Sequence, residues 1–234
     1  WASRGAKMGD SDSDEEEMLQ YKIILLGDGT VGKTSIAMRF TNDEFGQQYK
    51  QTIGLDFMLK RLELPGKVNV ALQIWDIGGQ SIGSKMLGNY IYGSQAILIC
   101  YDITNHQSFQ NAEDWLSLVK NVFKEPGSMP TIALVGNKCD MSHLRSVKAE
   151  KHTSFVEANN MKSFFVSAKT GDSVNSTFYR IASDLCGITL TRPEADVASK
   201  VVKAEIVDRS GNGGSSFPAS SAVSLPKGKK CVVQ

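Results

Sequence analysis

The stretch GDGTVGKT, residues 27–34, carries glycines, a lysine and a hydroxyl residue in the pattern G-x-x-x-x-G-K-[ST]. In that pattern the glycines let backbone N–H groups point at phosphate oxygens, the lysine reaches the β- and γ-phosphates, and the hydroxyl ligates Mg²⁺. A strand-like run precedes the stretch and a helical pattern follows it, which favours a phosphate-binding loop over an incidental glycine-rich turn. The residues assigned to this loop are Gly27, Asp28, Gly29, Thr30, Val31, Gly32, Lys33, Thr34 and Ser35.

A second motif, NKCD at residues 137–140, has the residue types needed to recognise a nucleotide base. The carboxylate of Asp140 can accept hydrogen bonds from guanine N1–H and N2–H₂, whereas adenine would leave this carboxylate unpaired. Asn137 can bond the O6/N7 edge of the base or neighbouring loops, and the alkyl stem of Lys138 can lie along the base. The backbone N–H of Ala168 can donate to guanine O6. The residues assigned to the base are Asn137, Lys138, Asp140, Ser167, Ala168 and Lys169.

The run WDIGGQ, residues 75–80, supplies groups that could act at a third phosphate. Asp76 fits an acidic residue that holds Mg²⁺ through water, the Gly79 N–H can turn toward a γ-phosphate, and Gln80 can orient an attacking water. Gln80 and Lys33 are therefore the candidate catalytic residues for attack of water on the γ-phosphate. The alternative is a strand end that simply runs into a loop.

Alternating strand and helix patterns place these motifs at strand ends. The apolar runs YKIILLG, QAILICYD and TIALVGNK are typical of strands covered on both faces, and the alternation on both sides of Pro65-Gly66 predicts an antiparallel hairpin. A helix with Ser108 as its N-cap is predicted from the apolar spacing that begins at Phe109. We predict an α/β fold with a six-stranded, mostly parallel sheet, one antiparallel edge strand and helices on both faces. The loops after KIILL, QIW, ALV and FFV should then converge on one site.

Composition excludes several classes of protein. The sequence has 26 Lys+Arg against 25 Asp+Glu, a balance that does not suggest a nucleic-acid partner. Its apolar runs fall far short of the roughly 20 residues that a membrane span needs, and we expect no signal peptide. The four cysteines lack a C-x-x-C pair, and the three histidines (His106, His143 and His152) lack metal-ligand spacing. We therefore expect reduced thiols in a cytosolic monomer, with histidines that are structural or exposed.

The two ends of the chain differ in composition from its middle. Because the chain starts at Trp1 and a Met-Gly pair follows at Met8, residues 1–7 are expected to be upstream sequence. Acidic residues then dominate up to residue 17, and residues 210–230 are rich in Gly, Ser, Ala and Pro. We predict upstream sequence and a disordered acidic arm over residues 1–19, one folded domain over residues 20–190, and a flexible tail over residues 191–234.

The order of the motifs resembles that of the Ras-superfamily small GTPases, over the whole of residues 20–190. Within that superfamily the runs IGLDF, LQIWDIGGQ, YIYGSQ and CYDIT are similar to segments of the Rab family. Ile77-Gly78 replaces the usual Thr-Ala, Ser81-Ile82-Gly83 replaces Glu-Arg-Phe, and the chain ends in CVVQ instead of paired cysteines. These departures, the acidic N-terminus and KQTIGLDF resemble the divergent Rab twenty-eight subfamily. The resemblance implies the small G domain of the P-loop NTPases.

The resemblance adds further residues to the predicted site. It implies that Thr52 is a second Mg²⁺ ligand and senses the γ-phosphate, and that Phe45 packs against the guanine. It also implies that Phe57, Trp75 and Tyr90 present an aromatic surface to effectors, although three core aromatics would account for the same residues. The expected cofactor is Mg²⁺, with GTP or GDP as ligand, and the metal ligands assigned are Thr34, Thr52 and Asp76.

The resemblance implies a molecular switch. GTP and Mg²⁺ order two switch segments, an effector binds that state, and hydrolysis to GDP releases it. Because FGQQYKQT, residues 45–52, contains no arginine, hydrolysis should be slow until a GTPase-activating protein supplies one. An exchange factor is a further expected partner, and the expected process is intracellular membrane or protein trafficking. Two alternatives stay open: a nucleotide-dependent binding module with negligible hydrolysis, and a P-loop kinase or ATPase, which Asp140 disfavours.

The last four letters of the chain, CVVQ, form a C-a-a-X pattern that predicts farnesylation of Cys231. One farnesyl chain holds a membrane reversibly, and Lys227, Lys229 and Lys230 would strengthen attachment to an anionic surface. Farnesyltransferase and a prenyl-binding carrier are then expected partners. We predict a cytoplasmic protein attached peripherally to the cytosolic face of membranes, and the subfamily resemblance points to the cilium base or endosomes.

Overall fold

The structure, a computed structural model, describes residues 18–190 apart from residues 47, 49, 85 and 126 and the side chain of Ile82. The predicted acidic arm, the C-terminal tail and Cys231 lie outside the described residues. The strands of the described part are β1 (Leu19–Leu26), β2 (Leu55–Leu64), β3 (Val68–Ile77), β4 (Ala96–Asp102), β5 (Thr131–Asn137) and β6 (Lys162–Phe165). Its helices are α1 (Lys33–Asn42), α2 (Leu87–Ile91), α3 (His106–Gln110), α4 (Ala112–Val122), α5 (Ala149–Ala158) and α6 (Val174–Leu185), and 3₁₀ turns cover Gly79–Gly83 and Cys139–Leu144.

The strands form a six-stranded sheet in the order β2-β3-β1-β4-β5-β6. Every neighbouring pair is parallel except β2 and β3, whose antiparallel register runs from Leu55 opposite Ile77 to Leu64 opposite Val68. The hairpin turns through Pro65, Gly66 and Lys67, and the last two adopt φ values of 84° and 61°. The predicted parallel sheet with one antiparallel edge strand is confirmed.

Helices cover both faces of the sheet, as the α/β pattern predicts. Apolar residues of α1 and α6 pack on one face, with Leu98 and Cys100 of β4. Apolar residues of α2, α4 and α5 pack on the other face, with Ile97 and Ile99 of the same strand. Alternate side chains of β4 thus enter two separate cores. This placement explains why all the residues of the strand are buried.

The segment predicted as one helix with Ser108 at its N-cap differs from that expectation. The helix begins earlier, because the side chain of Asn105 accepts hydrogen bonds from the backbone N–H groups of Gln107 and Ser108 at 3.0 and 3.3 Å. The Ser108 hydroxyl lies inside α3 and accepts a hydrogen bond from the Asp102 N–H at 3.1 Å. A break at Asn111 then separates α3 from α4. Asn and Ser are both good N-cap residues, and apolar spacing alone could not choose between them.

The carboxyl ends of the parallel strands lie at one edge of the sheet, where the loops after β1, β3, β5 and β6 meet around a single cleft. This convergence agrees with the prediction from the strand pattern. Among the described residues, no helix combines the length and the apolar character that crossing a membrane requires.

Candidate nucleotide site

A cleft of about 330 Å³ opens at this edge of the sheet. The predicted site residues that line it are Gly29, Thr30, Gly32, Lys33, Thr34, Ser35, Phe45, Thr52, Gly79, Gln80, Asn137, Lys138, Asp140, Ala168 and Lys169. The other predicted site residues, Gly27, Asp28, Val31, Asp76 and Ser167, do not line the cleft. The sequence argument missed Met38, Gly46, Gln48, Lys50, Gln51 and Met141, which also line the cleft. Neither methionine belongs to a recognisable motif, so only the fold identifies them.

The phosphate-binding loop needs glycine at two positions where its backbone approaches other segments. Gly27 has φ 134°, and a Cβ there would overlap the carbonyl oxygen of Cys100 in β4. Gly32 has φ 96°, and a Cβ there would overlap the side-chain nitrogen of Asn137. Gly32 is also the N-cap residue of α1 and has no side chain to bond the first N–H groups of the helix. Those N–H groups are therefore available to an anion in the cleft.

Lys33 is buried, with only 6% of its surface exposed, although it carries an ammonium group. Its Nζ donates hydrogen bonds to the carbonyl oxygens of Gly27 and Asp28, each at 2.7 Å. Burial lowers the pKa of Lys33, and the charge of Asp76 acts in the opposite direction. The loop thus holds a desolvated positive group, where attraction to a phosphate is stronger than it would be in water.

Asp76, Thr34 and Thr52 form a partly buried cluster of oxygen atoms. Oδ2 of Asp76 accepts hydrogen bonds from the Thr34 hydroxyl and, at 3.2 Å, from the Thr52 hydroxyl, and the two hydroxyl oxygens are 2.9 Å apart. Asp76 is fully buried, and among the described residues its Oδ1 has no hydrogen-bond partner. Burial raises the pKa of Asp76, opposed by the Thr34 hydrogen bond and by Lys33.

This cluster fits a magnesium ion. One carboxylate and two hydroxyls are the hard oxygen ligands that Mg²⁺ prefers, and the ion usually keeps several waters. A buried carboxylate oxygen without a partner calls for an explanation, and a cation or its bound water would satisfy it. Asp76, Thr34 and Thr52 come from three different segments, and the fold brings together all three predicted metal ligands.

Asn137 links two loops instead of pointing at the base. Its side-chain nitrogen donates to the carbonyl oxygen of Val31 at 2.9 Å, and its oxygen accepts the Ala168 N–H at 3.1 Å. The sequence left two roles open for Asn137: hydrogen bonds to the base or hydrogen bonds to neighbouring loops. The structure shows the hydrogen bonds to neighbouring loops. The Ala168 N–H predicted for guanine O6 is directed at Asn137 in this structure.

Asp140 and Lys138 are each oriented by a second side chain. The fully buried Ser167 donates its hydroxyl to Oδ1 of Asp140 at 2.6 Å, which fixes the plane of that carboxylate. The ammonium of Lys138 lies 2.6 Å from Oδ2 of Asp102 at the end of β4. Lys138 also lines the cleft, and the placement of its alkyl stem along the base stays a prediction. The sequence argument missed Asp102, although the CYDIT run that contains it was noted.

Arg39 of α1 is a further residue that the sequence argument missed. Its guanidinium donates to the carbonyl oxygens of Ala168 and Lys169 at 3.0 and 2.9 Å. It also pairs with Asp43 at 3.1 Å. Arg39 therefore holds the loop of residues 167–169 against the helix that follows the phosphate-binding loop.

The segment after β3 contacts the phosphate-binding loop directly. A Cβ on Gly79 would overlap the backbone nitrogen of Gly29, and a Cβ on Gly78 would lie 2.6 Å from the carbonyl oxygen of Thr52. The Gly78 N–H donates to the Gly54 carbonyl at 2.8 Å. Gln80 is exposed at the mouth of the cleft, and no hydrogen bond of its side chain occurs within the described part of the chain. The chain thus brings Gln80 to the cleft without fixing its amide.

The three aromatic residues predicted to meet effectors lie on or near the surface. Phe57 is 48% exposed and packs edge-on against Trp75, with ring centroids 5.7 Å apart. The ammonium of Lys22 lies 4.3 Å from the centre of the Trp75 ring. Tyr90 is partly buried and packs, like Trp75, against the core under α2 and α4. Phe57 and Trp75 form a pair, whereas Tyr90 is near the same core without stacking on either ring.

The histidines take no part in this cleft. His152 is fully buried, where its two ring nitrogens contact the Tyr101 hydroxyl at 2.9 Å and the Ser163 hydroxyl at 2.8 Å. His143 is exposed and His106 is partly exposed. These positions agree with the expectation of structural or exposed histidines.

Comparisons with known proteins place the chain in a family and give a curated relative. Residues 22–187 match the family model described as Ras family. The chain is 40% identical over 200 residues to "Ras-related protein Rab-28" of Caenorhabditis elegans, an alignment that covers 86% of this chain and 80% of that protein. The family match includes every residue that lines the cleft.

Proposed function

The chain belongs to the Ras family of small GTPases, within its Rab group, and from this premise we propose that its cleft holds Mg²⁺ with GTP or GDP and that the nucleotide controls effector binding. Members of this family bind guanine nucleotides and hydrolyse GTP. The observation that carries the proposal is the cluster of Thr34, Thr52 and Asp76 beside the phosphate-binding loop. Thr52 lies on the segment between α1 and β2, so a ligand that engages this cluster also holds that segment.

Different residues of the cleft bind the phosphates and the base of the nucleotide. In the proposal, the loop of residues 27–35 binds the phosphates, with Lys33 at the β- and γ-phosphates. Asp140, oriented by Ser167, accepts hydrogen bonds from the guanine edge. The alkyl stem of Lys138 and the ring of Phe45 pack against the faces of the base. Asn137 holds the loops around the base together.

Hydrolysis is attack of water on the γ-phosphate. Gln80 orients the water, Lys33 stabilises the charge that develops on the phosphate, and the N–H groups of Gly29, Gly32 and Gly79 assist. Thr34, Thr52 and Asp76 would hold Mg²⁺, which neutralises charge on the β- and γ-phosphates when bound. Residues 45–52 include no arginine, so slow intrinsic turnover is expected, and an arginine from a GTPase-activating protein would accelerate it by about 10³- to 10⁵-fold.

The test begins with the nucleotide that the purified full-length chain carries. Denaturation and chromatography should release GDP or GTP, and ITC should show guanine bound in preference to adenine. Asp140→Asn should reduce that preference, because an amide cannot accept both guanine donors. An adenine nucleotide in the wild-type protein, or an unchanged preference in Asp140→Asn, would contradict the assignment and favour a kinase or ATPase.

A second candidate is a binding module that holds GTP and hydrolyses it negligibly. The exposure of Gln80 and its lack of a partner among the described residues favour this alternative. Single-turnover phosphate release from the protein loaded with Mg²⁺ and GTP separates the two functions. Release over hours supports the switch, and release no faster than that of free GTP supports the module.

Membrane attachment through Cys231 is the final part of the proposal. A farnesyl group there, added by farnesyltransferase and carried in the cytoplasm by a prenyl-binding protein, would place the switch reversibly on cytosolic membrane faces, where it would serve trafficking. Effectors would bind near Phe57, Trp75 and Tyr90, and an exchange factor would reload the nucleotide. The mass of the C-terminal peptide from cells tests the modification. Cys231→Ser should move the protein from the membrane fraction to the supernatant, whereas Cys186→Ser should not.

A further inference from the structure

The side chain of Asp28, the second residue of the phosphate-binding loop, lies outside the cleft. Its Oδ2 accepts a hydrogen bond from the Asn111 side-chain nitrogen at 2.6 Å, and its Oδ1 accepts one from the Trp115 indole N–H at 3.0 Å. Each carboxylate oxygen therefore has its own donor. Both donors belong to the start of α4, more than 80 residues along the chain.

Both donors are held in place by other contacts. Asn111 is the N-cap residue of α4, yet its side chain makes no capping hydrogen bond. Its oxygen accepts from the Gln107 side chain at 2.8 Å, so its nitrogen is the atom that faces Asp28. Trp115 is 1% exposed and packs in the core between α4 and the sheet. Asn111 and Trp115 therefore hold the carboxylate of Asp28 in one position.

The backbone of Asp28 contacts two other parts of the predicted site. Its carbonyl oxygen accepts the Lys33 ammonium at 2.7 Å. A Cβ on Gly79 would overlap the Asp28 carbonyl carbon, so the segment after β3 rests on the same peptide group. A shift of Asp28 would therefore move Lys33 and also move the peptide group against which Gly79 packs.

We propose that Asn111 and Trp115 are positioning residues that act on the phosphate-binding loop through Asp28. They keep its negative charge out of the cleft, where it would repel phosphates, and they fix the carbonyl that holds Lys33. The inference rests on the proposed nucleotide site. It makes the start of α4 a part of the machinery that retains the nucleotide, although no residue of α4 lines the cleft.

The test is the release rate of a fluorescent GDP from the full-length protein in Mg²⁺, chased with unlabelled GDP. Trp115→Phe keeps the ring and removes the N–H, and Asn111→Ala removes the other donor. Each should release GDP about threefold to tenfold faster, less than the full loss of one hydrogen bond to a charged group, because the second donor still holds Asp28. Tyr101→Phe is the matched control, since it removes a buried hydrogen bond to His152 in the same core. It should lower Tm and leave the release rate unchanged.

A double-mutant cycle distinguishes positioning from simple destabilisation. In an Asp28→Ala background, Trp115→Phe should not accelerate release further, because its partner is gone. Equal acceleration in both backgrounds, or release within about twofold of wild type in both single variants, overturns the inference. Asn111→Ala, at a partly exposed position, decides the matter if Trp115→Phe does not fold. A wild-type chain that binds no GDP is a separate result, which refutes the proposed function and this inference with it.

Discussion

The Oγ1 atom of Thr52 lies 3.2 Å from Oδ2 of Asp76, although 24 positions separate the two residues in the sequence. Asp76 belongs to β3, whereas Thr52 belongs to the segment that precedes β2. The contact holds that segment beside the end of β3, where Thr52 lines the cleft.

Thr52→Ala should weaken binding of a nonhydrolysable GTP analogue in Mg²⁺ more than it weakens binding of GDP. The hydroxyl is a proposed ligand of the ion and belongs to the γ-phosphate end of the cleft, which GDP leaves empty. We expect a loss of about tenfold for the analogue, the effect of one charge-assisted hydrogen bond. Titration calorimetry with each nucleotide measures it. Thr41→Ala is the matched control, because that hydroxyl bonds Ala37 within α1. Equal losses for both nucleotides would contradict the role of Thr52.

Ser167→Ala should lower guanine affinity without a matching loss for the phosphates. The hydroxyl donates to Asp140 at 2.6 Å and keeps that carboxylate in one orientation. Its removal should cost about three- to tenfold in GDP affinity. Ser183→Ala is a control of the same type, since Ser183 is 1% exposed and bonds Tyr179 in α6. If both variants bind GDP like the wild type, Ser167 does not orient the base ligand.

Gly79→Ala should destabilise the protein by about 1–3 kcal/mol, because the new methyl group would overlap the backbone of Gly29 and Asp28. The free energy of unfolding in urea measures this loss. Separation of the two loops should also weaken GTP binding. Gly83→Ala is the control within the same turn, because a Cβ there meets nothing within 4 Å. A neutral effect of Gly79→Ala would show that the loops can separate freely.

Gln80→Leu should leave GTP affinity near the wild-type value and slow hydrolysis. Loss of water orientation should cost about 10²-fold, most clearly in the presence of a GTPase-activating protein. Single-turnover phosphate release measures both the intrinsic and the stimulated rate. Gln95→Leu serves as a control, since Gln95 contacts Lys22 and Gly93 away from the cleft. Unchanged rates in Gln80→Leu would remove Gln80 from catalysis.

His152 should make stability fall as the pH is lowered. Burial lowers the pKa of His152 to about 4 from its ordinary 6.5, and the charge of Arg145 adds to the effect. Between these values the unfolded chain binds a proton that the folded protein does not. The free energy of unfolding should therefore fall by up to about 1.4 kcal/mol per pH unit over this range.

Urea unfolding at pH 7, 6 and 5 measures this slope. His152→Gln should flatten it, because glutamine has no proton to gain, and the slope is informative even if the variant is less stable at pH 7. His143→Gln, at an exposed position, is the matched histidine control. Equal slopes in wild type and His152→Gln would assign the acid sensitivity to other groups.

Much of the fold follows from local pattern. The strands and the helices α1, α4 and α6 have an apolar spacing that can be recognised within ten or so residues, and the hairpin is signalled by Pro65-Gly66. The short helix α2 and the helix α5 were not predicted. The N-cap of α3 was misassigned, because Asn105 and Ser108 offer the same chemistry and only the backbone geometry distinguishes them.

By itself, the sequence predicted the chemistry of the site: glycines, Lys33, Asp76 and Asp140 are short-range signals whose types indicate what they can bind, whereas Asn137 kept two possible roles. The tertiary structure decided which partner each side chain takes. Asn137 bonds Val31, 106 positions away, and Trp115 bonds Asp28, 87 positions away. A hydrogen bond needs its two atoms within about 3 Å, and for residues so distant in sequence only the packing of the sheet and its helices creates that proximity.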